Sequence, residues 1–145
     1  MTNRRSAGGP LSGGGWWVTL GAIALVLNAL WEILQLPLYR DAHGISACLL
    51  AAAGDMAVIL ACTALARFGA PGRSSWPLFI GLLTAVAVGV ELWALTGARW
   101  AYAPSMPTIG GIGLAPLVQL PILGSLAVVM VRWRGGRSSW PTPGR

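Results

Sequence analysis

Six acidic or amide side chains, able to move protons or to orient a bound molecule, lie inside otherwise apolar stretches of this chain: Asn28, Glu32, Gln35, Asp55, Glu91 and Gln119. A charged side chain in the hydrocarbon core of a membrane costs about 2.5–3.5 kcal/mol on insertion scales, so such residues usually have a function. Carboxyl groups in apolar surroundings can donate or accept protons, and amides can orient a bound molecule. The residue types therefore predict a polar binding site or acid–base chemistry within a membrane.

Three of these residues form a stripe on the first apolar stretch. Asn28, Glu32 and Gln35 are spaced i, i+4 and i+7, which places them on one face of a helix, with Trp31 beside them. A stripe of this kind is unstable against lipid, so we expect it to face the interior of a helix bundle.

The depths of the polar residues point to one end of the bundle. At 1.5 Å per helical residue, Glu32, Glu91 and Gln119 lie about 8–10 Å below the outer end of their helices, and Asp55 lies about 15 Å deep. All four helices thus contribute polar groups to the same half. We expect a cavity there that opens outward or into the outer leaflet, with Glu32, Asp55 and Glu91 as its candidate catalytic acids.

The elements that must hold this site are four apolar stretches, each about long enough to cross a bilayer. Of the 145 residues, 55% are hydrophobic and only 10% are charged, whereas a soluble domain usually carries about 25% charged residues. The composition predicts an all-α polytopic membrane protein, a bundle of four transmembrane helices, and excludes a disordered chain. We place the spans at about residues 16–38, 45–66, 77–97 and 114–131, and expect disordered tails at 1–15 and 132–145.

The arginines predict the orientation. Eight of the ten cationic residues lie in the two tails and the second connection. Cytoplasmic segments carry such an excess, so both termini are expected in the cytoplasm. The net charge of +6 is explained by arginines that set topology and contact lipid headgroups, so membrane lipids, and no nucleic acid, are the expected partners.

The third connection, residues 98–113, lies above the predicted cavity, and we expect it to have no regular structure. Its length suggests a functional segment. Its larger side chains are expected to form a lid that contributes to binding, with Arg99 paired to Glu91 or Glu32; they are Arg99, Trp100, Tyr102, Met106 and Pro107.

Metal and cofactor chemistry are not expected. The chain has one histidine, His43, which we expect to be a solvated loop residue, and two cysteines. Cys48 and Cys62 are fourteen positions apart, about 21 Å along a helix, so they are expected to be small buried side chains and not a disulfide or a metal site.

Several strings resemble a family of small bacterial multi-pass membrane proteins: Asn28-x-x-Trp31-Glu32-x-x-Gln35-x-Pro37-Leu38-Tyr39, Gly54-Asp55, Arg99-Trp100-x-Tyr102-x-x-x-Met106-Pro107 and Gly113-Leu114-x-Pro116-Leu117-x-Gln119. The resemblance covers about residues 16–131. It implies a multi-pass protein of the bacterial inner membrane and carries no established activity to this chain.

The string Asn28-x-x-Trp31-Glu32 is also similar, more weakly, to one in integral-membrane terpene cyclases of meroterpenoid pathways. In those enzymes the glutamate is thought to act as an acid on an isoprenoid epoxide or olefin. The resemblance implies that role for Glu32. Those cyclases have about seven spans, whereas this chain has four predicted spans.

Three functions remain open from the sequence. The first is a site for a lipophilic small molecule, in which Glu32 or Asp55 donates a proton while the other acid, with Gln35 and Gln119, orients the substrate. Trp31 and Trp93 would stabilise a developing cation by their aromatic faces. The second is a small proton-coupled transporter, because four spans with a glutamate on the first resemble small multidrug-resistance exporters. Those exporters work as dimers, so the resemblance implies a homodimer. The third is a structural or accessory subunit of a membrane complex.

Overall fold

Four long helices make up most of the protein. The computed structural model describes residues 14–40, 44–69 and 75–134. The helices are α1 (Gly14–Gln35), α2 (Ile45–Gly69), α3 (Ser75–Thr96) and α4 (Leu114–Arg134). Each is long and apolar enough to cross a membrane, and a 3-10 turn, Leu36–Leu38, extends the first span to Leu38. The all-α four-helix prediction is confirmed. Residues 14–15 and 132–134, which were predicted as parts of disordered tails, are helical, whereas the rest of those tails and His43 lie outside the described residues.

Prolines mark the ends of several helices. Pro37 lies in the 3-10 turn directly after α1, because the residue before a proline avoids the α conformation. Pro77 and Pro116 lie in the first turn of α3 and α4, where a missing N–H leaves no bond unmade. Pro121, by contrast, lies inside α4, and the helix continues through it. It removes one backbone donor, so the carbonyl of Leu117 loses its usual partner.

The helices form a closed ring in chain order. α1 packs against α2 and α4, and α3 packs against the same two helices. The half of the bundle nearest the two tails is filled by buried apolar side chains: Trp16, Leu20, Ile59, Cys62, Phe79, Leu83, Val128 and Val131. Gly124 allows α4 to approach closely, since a Cβ there would lie 2.7 Å from Leu83 Cδ1.

The distribution of polar and apolar side chains is that of a membrane protein. Asn28 is fully buried and Gln119 is 4% exposed, whereas Leu34 and Leu50 are each 76% exposed. In water this arrangement would be strongly unfavourable, because apolar surface favours burial. In the hydrocarbon core of a membrane the preference is reversed, because polar groups need partners inside the protein. The arrangement therefore agrees with four spans in a lipid environment.

The third connection is more ordered than expected. Two short strands, β1 (Thr108–Ile109) and β2 (Ile112–Gly113), pair antiparallel as a hairpin. Gly110 and Gly111 form its turn at φ 59° and 84°, which glycine adopts without a steric penalty. The prediction of an irregular segment was therefore wrong for residues 108–113, because the two glycines specify a tight turn.

The first and third connections are bound to each other at the same end of the bundle. Tyr39 and Tyr102 form an isolated antiparallel bridge. The Arg40 N–H donates to the Ala101 carbonyl at 2.9 Å, and the Ala103 N–H donates to the Leu38 carbonyl at 2.8 Å. We call residues 36–40 and 97–113 together the cap.

Candidate functional site

Gln119 joins three helices at the base of the site. Its side-chain nitrogen, Nε2, lies 2.8 Å from Glu32 Oε1, 2.8 Å from Asp55 Oδ2 and 3.2 Å from Asn28 Oδ1. These residues belong to α4, α1 and α2. The two carboxyl oxygens are therefore no further apart than twice 2.8 Å.

The network continues along the α1 stripe. Gln35 Nε2 donates to Gln119 Oε1 at 3.2 Å, and Trp31 Nε1 donates to Gln35 Oε1 at 3.1 Å. Asn28 donates to the Ala24 carbonyl of its own helix at 2.8 Å. The stripe thus faces the bundle interior, as its spacing predicted. Trp31 contributes to the network by its hydrogen bond to Gln35, which holds the Gln35 side chain in place.

The network contains more acceptors than the amide can satisfy. A carboxamide nitrogen carries two hydrogens, yet three oxygens lie within 3.2 Å of Gln119 Nε2. A proton on one of the two carboxyl groups would relieve this shortage of donors, because a carboxylic acid donates as well as accepts.

Glu91 lies in a second cluster, at the cap. The Tyr102 hydroxyl donates to Glu91 Oε2 and accepts from the Gly113 N–H at 2.9 Å. A Cβ on Gly113 would lie 2.9 Å from Tyr102 Cζ, so the hairpin needs glycine at this position. The Trp100 indole nitrogen is buried close to the same pair. The cluster ties the cap to α3.

A cavity of about 390 Å³ connects the two clusters. It lies between the four helix ends beneath the cap, and Tyr39 and Trp100 line it from the cap. Within the described residues its lining includes the three carboxyl groups and no Arg, Lys or His; the other lining residues are mostly apolar or small. The site is thus an apolar chamber with acidic groups from three helices.

Arg99 does not form the predicted ion pair. Its guanidinium lies 3.7 Å from the centroid of the Trp93 ring, and it contacts no carboxylate within the described part of the chain. Glu91 is only 3% exposed and already accepts from Tyr102, whereas Arg99 is exposed. The cation therefore stays in the solvated layer and stacks on the nearest ring.

The other predicted lid residues differ in position. Trp100 and Trp93 line the cavity. Tyr102 does not line it, but its hydroxyl donates a hydrogen bond to Glu91, which does. Met106 is buried within the cap and Pro107 is exposed, and neither lines the cavity.

Among the lining residues that were not predicted as part of the site, two have side chains with a hydroxyl or a thiol, Tyr39 and Cys48. Cys48 was expected only to be a small buried side chain. A signal for each was present. Cys48 precedes Asp55 by seven residues, which places both on one face of α2. Tyr39 follows the α1 stripe on the same side.

The two phenols of the cap stay neutral over a wide pH range. Burial raises the pKa of Tyr102 from 10.0 to about 12, and the bond to Glu91 adds to this. Burial, with the nearby Glu91 and Glu32, also raises the pKa of Tyr39 above its ordinary value. Tyr102 therefore remains a hydrogen-bond donor to Glu91 at neutral pH.

We expect the tyrosine titration to show this directly, because Tyr39 and Tyr102 are the only two tyrosines of the chain. Absorbance at the phenolate band should not rise until the pH exceeds 10 in the folded protein. Because the pKa of Tyr102 is higher in the folded than in the unfolded protein, its contribution to the free energy of unfolding is complete below pH 10. That contribution falls as the pH approaches 12. The unfolded protein in detergent should titrate near 10 and serves as the control. Titration of either phenol near 10 in the folded protein would contradict the burial.

No family model, curated protein or solved structure matches this chain. The resemblances noted from the sequence therefore stay predictions, and the site is interpreted from its own geometry.

Proposed function

We propose that this protein binds a lipophilic small molecule in the cavity and acts on it by acid–base chemistry. The observation that carries the proposal is the placement of Glu32, Asp55 and Glu91 around one mostly apolar chamber. Apolar walls with a few convergent polar groups are typical of small-molecule sites. Interhelical hydrogen bonds in membranes average only about 0.6 kcal/mol, so stabilisation is a weak reason to keep three acids there.

The acids have different roles in this proposal. Glu32 and Asp55 both lie beside Gln119, and one of them carries a proton, so one is the acid and the other the base. A proton passes from the carboxyl group to the bound molecule, and the carboxylate takes one back, which leaves the pair as it began. Glu91 is held by Tyr102 and positions the cap over the bound molecule.

The chemistry of the lining also restricts the ligand. Three carboxyl groups and no described cation disfavour a phosphate or carboxylate inside the cavity. The aromatic faces of Trp93, Trp100 and Tyr39 favour positive charge. The expected ligand is thus an isoprenoid- or lipid-like molecule whose polar group is neutral, or becomes positively charged during the reaction.

The lower half of the bundle favours a binding site or enzyme over a transporter. Leu20, Ile59, Phe79 and Leu83 are fully buried there and close the bundle below the polar network. A transporter would have to open this packed region in each cycle. The proton-coupled transporter and the accessory subunit are kept as outcomes of the test.

Profiling of lipids and metabolites tests the proposal. A strain from which the gene is deleted should lose one hydrophobic compound and accumulate its precursor, and the wild-type gene should restore both. The double variant Glu32→Gln/Asp55→Asn should fail to restore them while reaching the membrane at the normal level. Full restoration by this variant would overturn acid–base chemistry at the pair.

The alternatives give different results. Proton movement in proteoliposomes on addition of the accumulated compound, without its conversion, would indicate transport and also calls for a test of the homodimer. Copurification at fixed stoichiometry with a larger complex, with lipid profiles unchanged, would indicate an accessory subunit.

We also propose that the protein lies in the bacterial inner membrane with both termini in the cytoplasm. The arginines of the tails and of the second connection support this orientation. It places the cap on the outer side. A reporter that is active only in the cytoplasm should be active when it is fused to either terminus. A reporter that is active only outside the cytoplasm should be inactive at both.

A further inference from the structure

The cavity is closed toward the aqueous phase on the cap side. Tyr39 and Trp100 line it from above, and their rings lie edge to face with centroids 6.3 Å apart. Backbone bonds at 2.9 and 2.8 Å hold the two connections of the cap together over it. A molecule arriving from water would have to separate these bonded segments.

The α1 and α4 side is closed as well. Gln35 and Gln119 are bonded to each other and are 5% and 4% exposed. Leu120 and Pro116, which line the cavity from α4, are also buried. This side leaves no passage between the helices.

The exposed part of the lining lies on the remaining two helices. Every lining residue that is exposed belongs to α2 or α3: Ala47, Ala51 and Gly54 on α2, and Val90 and Trp93 on α3. The three on α2 are small and recur at i, i+4 and i+7, so they follow one edge of that helix. Exposed outer faces of these helices contact lipid, since both are membrane spans.

We propose that the cavity opens sideways into the bilayer between α2 and α3, through a portal bordered by Ala51 and Gly54 on one helix and Val90 and Trp93 on the other. The inference deepens the proposed function, on which it rests for the identity of the site. The ligand then is an amphiphile dissolved in the bilayer, entering from the leaflet at the cap side. Gly54 and Ala51 set the width of the group that passes.

Gly54 provides a way to close the portal without disturbing the fold. A Cβ built on Gly54 meets no atom within 4 Å, so a larger side chain has space on the folded protein. Gly54→Leu would place that side chain at the opening. Gly81 on α3 is the matched control, because it is also exposed, has equally open space, and does not line the cavity.

The natural Cys48 reports entry independently of any catalysis. It lines the cavity and is only 4% exposed, so a reagent must enter to reach it. The test uses the full chain with Cys62→Ala in proteoliposomes, and N-pyrenyl maleimide as the bilayer-soluble probe. We expect Gly54→Leu to slow labelling of Cys48 by at least about tenfold, because a leucine fills the passage, whereas Gly81→Leu leaves the rate unchanged. Gly54→Ala should have an intermediate effect.

Two further measurements make the test decisive. In a chain with Cys48→Ala and Cys62→Ala, labelling of Leu50→Cys, on the lipid-facing surface, should be equal with and without Gly54→Leu. The charged reagent sulfonatoethyl methanethiosulfonate should label Cys48 slowly in the parent protein. Unchanged pyrenyl labelling in Gly54→Leu, or fast labelling by the charged reagent, would overturn the portal.

These results are separate from the test of the proposed function. If labelling depends on Gly54 while the Glu32 and Asp55 variants keep full function, the portal stands and the acid–base proposal fails. If labelling is independent of Gly54 while those variants lose function, the site stands and the ligand enters elsewhere.

Discussion

Glu32→Gln is expected to lower conversion of the native compound by about 10²–10⁴-fold, the usual contribution of a general acid or base. The change removes the exchangeable proton and keeps nearly the same volume. Gln119 Nε2, now 2.8 Å from Glu32 Oε1, can still donate to the new amide oxygen. The compound and its precursor should be measured in lipid extracts of the complemented deletion strain, with protein amount and thermal unfolding measured in parallel.

The effect predicted for Glu32→Gln can be checked against variants of Asp55. Because Glu32 and Asp55 are proposed to act together as acid and base, Asp55→Asn should cause a similar loss, and the double variant should be little worse than either single variant. Effects of residues that act as a unit are not additive. Thr84→Val is the control, since it removes an exposed hydroxyl whose one bond within the described residues is to the Ile80 carbonyl of its own helix. Two single variants with full activity would contradict the prediction.

Gln119→Leu is expected to destabilise the bundle by about 2 kcal/mol, since the amide makes at most three hydrogen bonds at once, of about 0.6 kcal/mol each. One is accepted from Gln35, and two are donated to oxygens of Asn28, Glu32 and Asp55. Leucine has a similar volume, so lost packing contributes little. Unfolding by sodium dodecyl sulfate in mixed micelles measures the change.

The comparison variant for Gln119→Leu is again Thr84→Val, for which we expect a change below about 0.5 kcal/mol because its site faces lipid. Asn28→Leu should fall between the two, since it loses one contact to Gln119. A Gln119→Leu protein as stable as the parent would show that the network does not hold the helices together.

The two predictions separate catalysis from structural support. If the acids serve only to join helices, Glu32→Gln should lower activity only as far as it lowers the amount of folded protein. If they move a proton, function falls by orders of magnitude while stability changes by less than about 1 kcal/mol. Gln119→Leu should affect both, because it positions Glu32 and Asp55 as well as linking three helices.

Much of the fold follows from local sequence. The long apolar stretches predicted the four helices because the membrane imposes a length and forbids unpaired backbone groups. The spacing of Asn28, Glu32 and Gln35 predicted a shared inward face because helical periodicity fixes which residues share a side. The order of the spans, with polar groups near the same ends, predicted a cavity in one half.

The error in the third connection also has a local cause. The segment was expected to have no regular structure, yet Gly110 and Gly111 form the turn of a short hairpin. The paired glycines were a readable signal, because a two-residue turn with positive φ at both positions is typical of hairpins.

What the sequence determined by itself is the set of membrane helices and the face that each polar residue occupies. Only the tertiary structure decided the pairings: Gln119 with Glu32 and Asp55, Tyr102 with Glu91, and Arg99 with Trp93 instead of an acid. The physical reason is that periodicity fixes angles within one helix, whereas the rotation and spacing of neighbouring helices depend on packing across the whole bundle. The partners of an acid, and the side on which its cavity opens, are therefore properties of the assembled bundle.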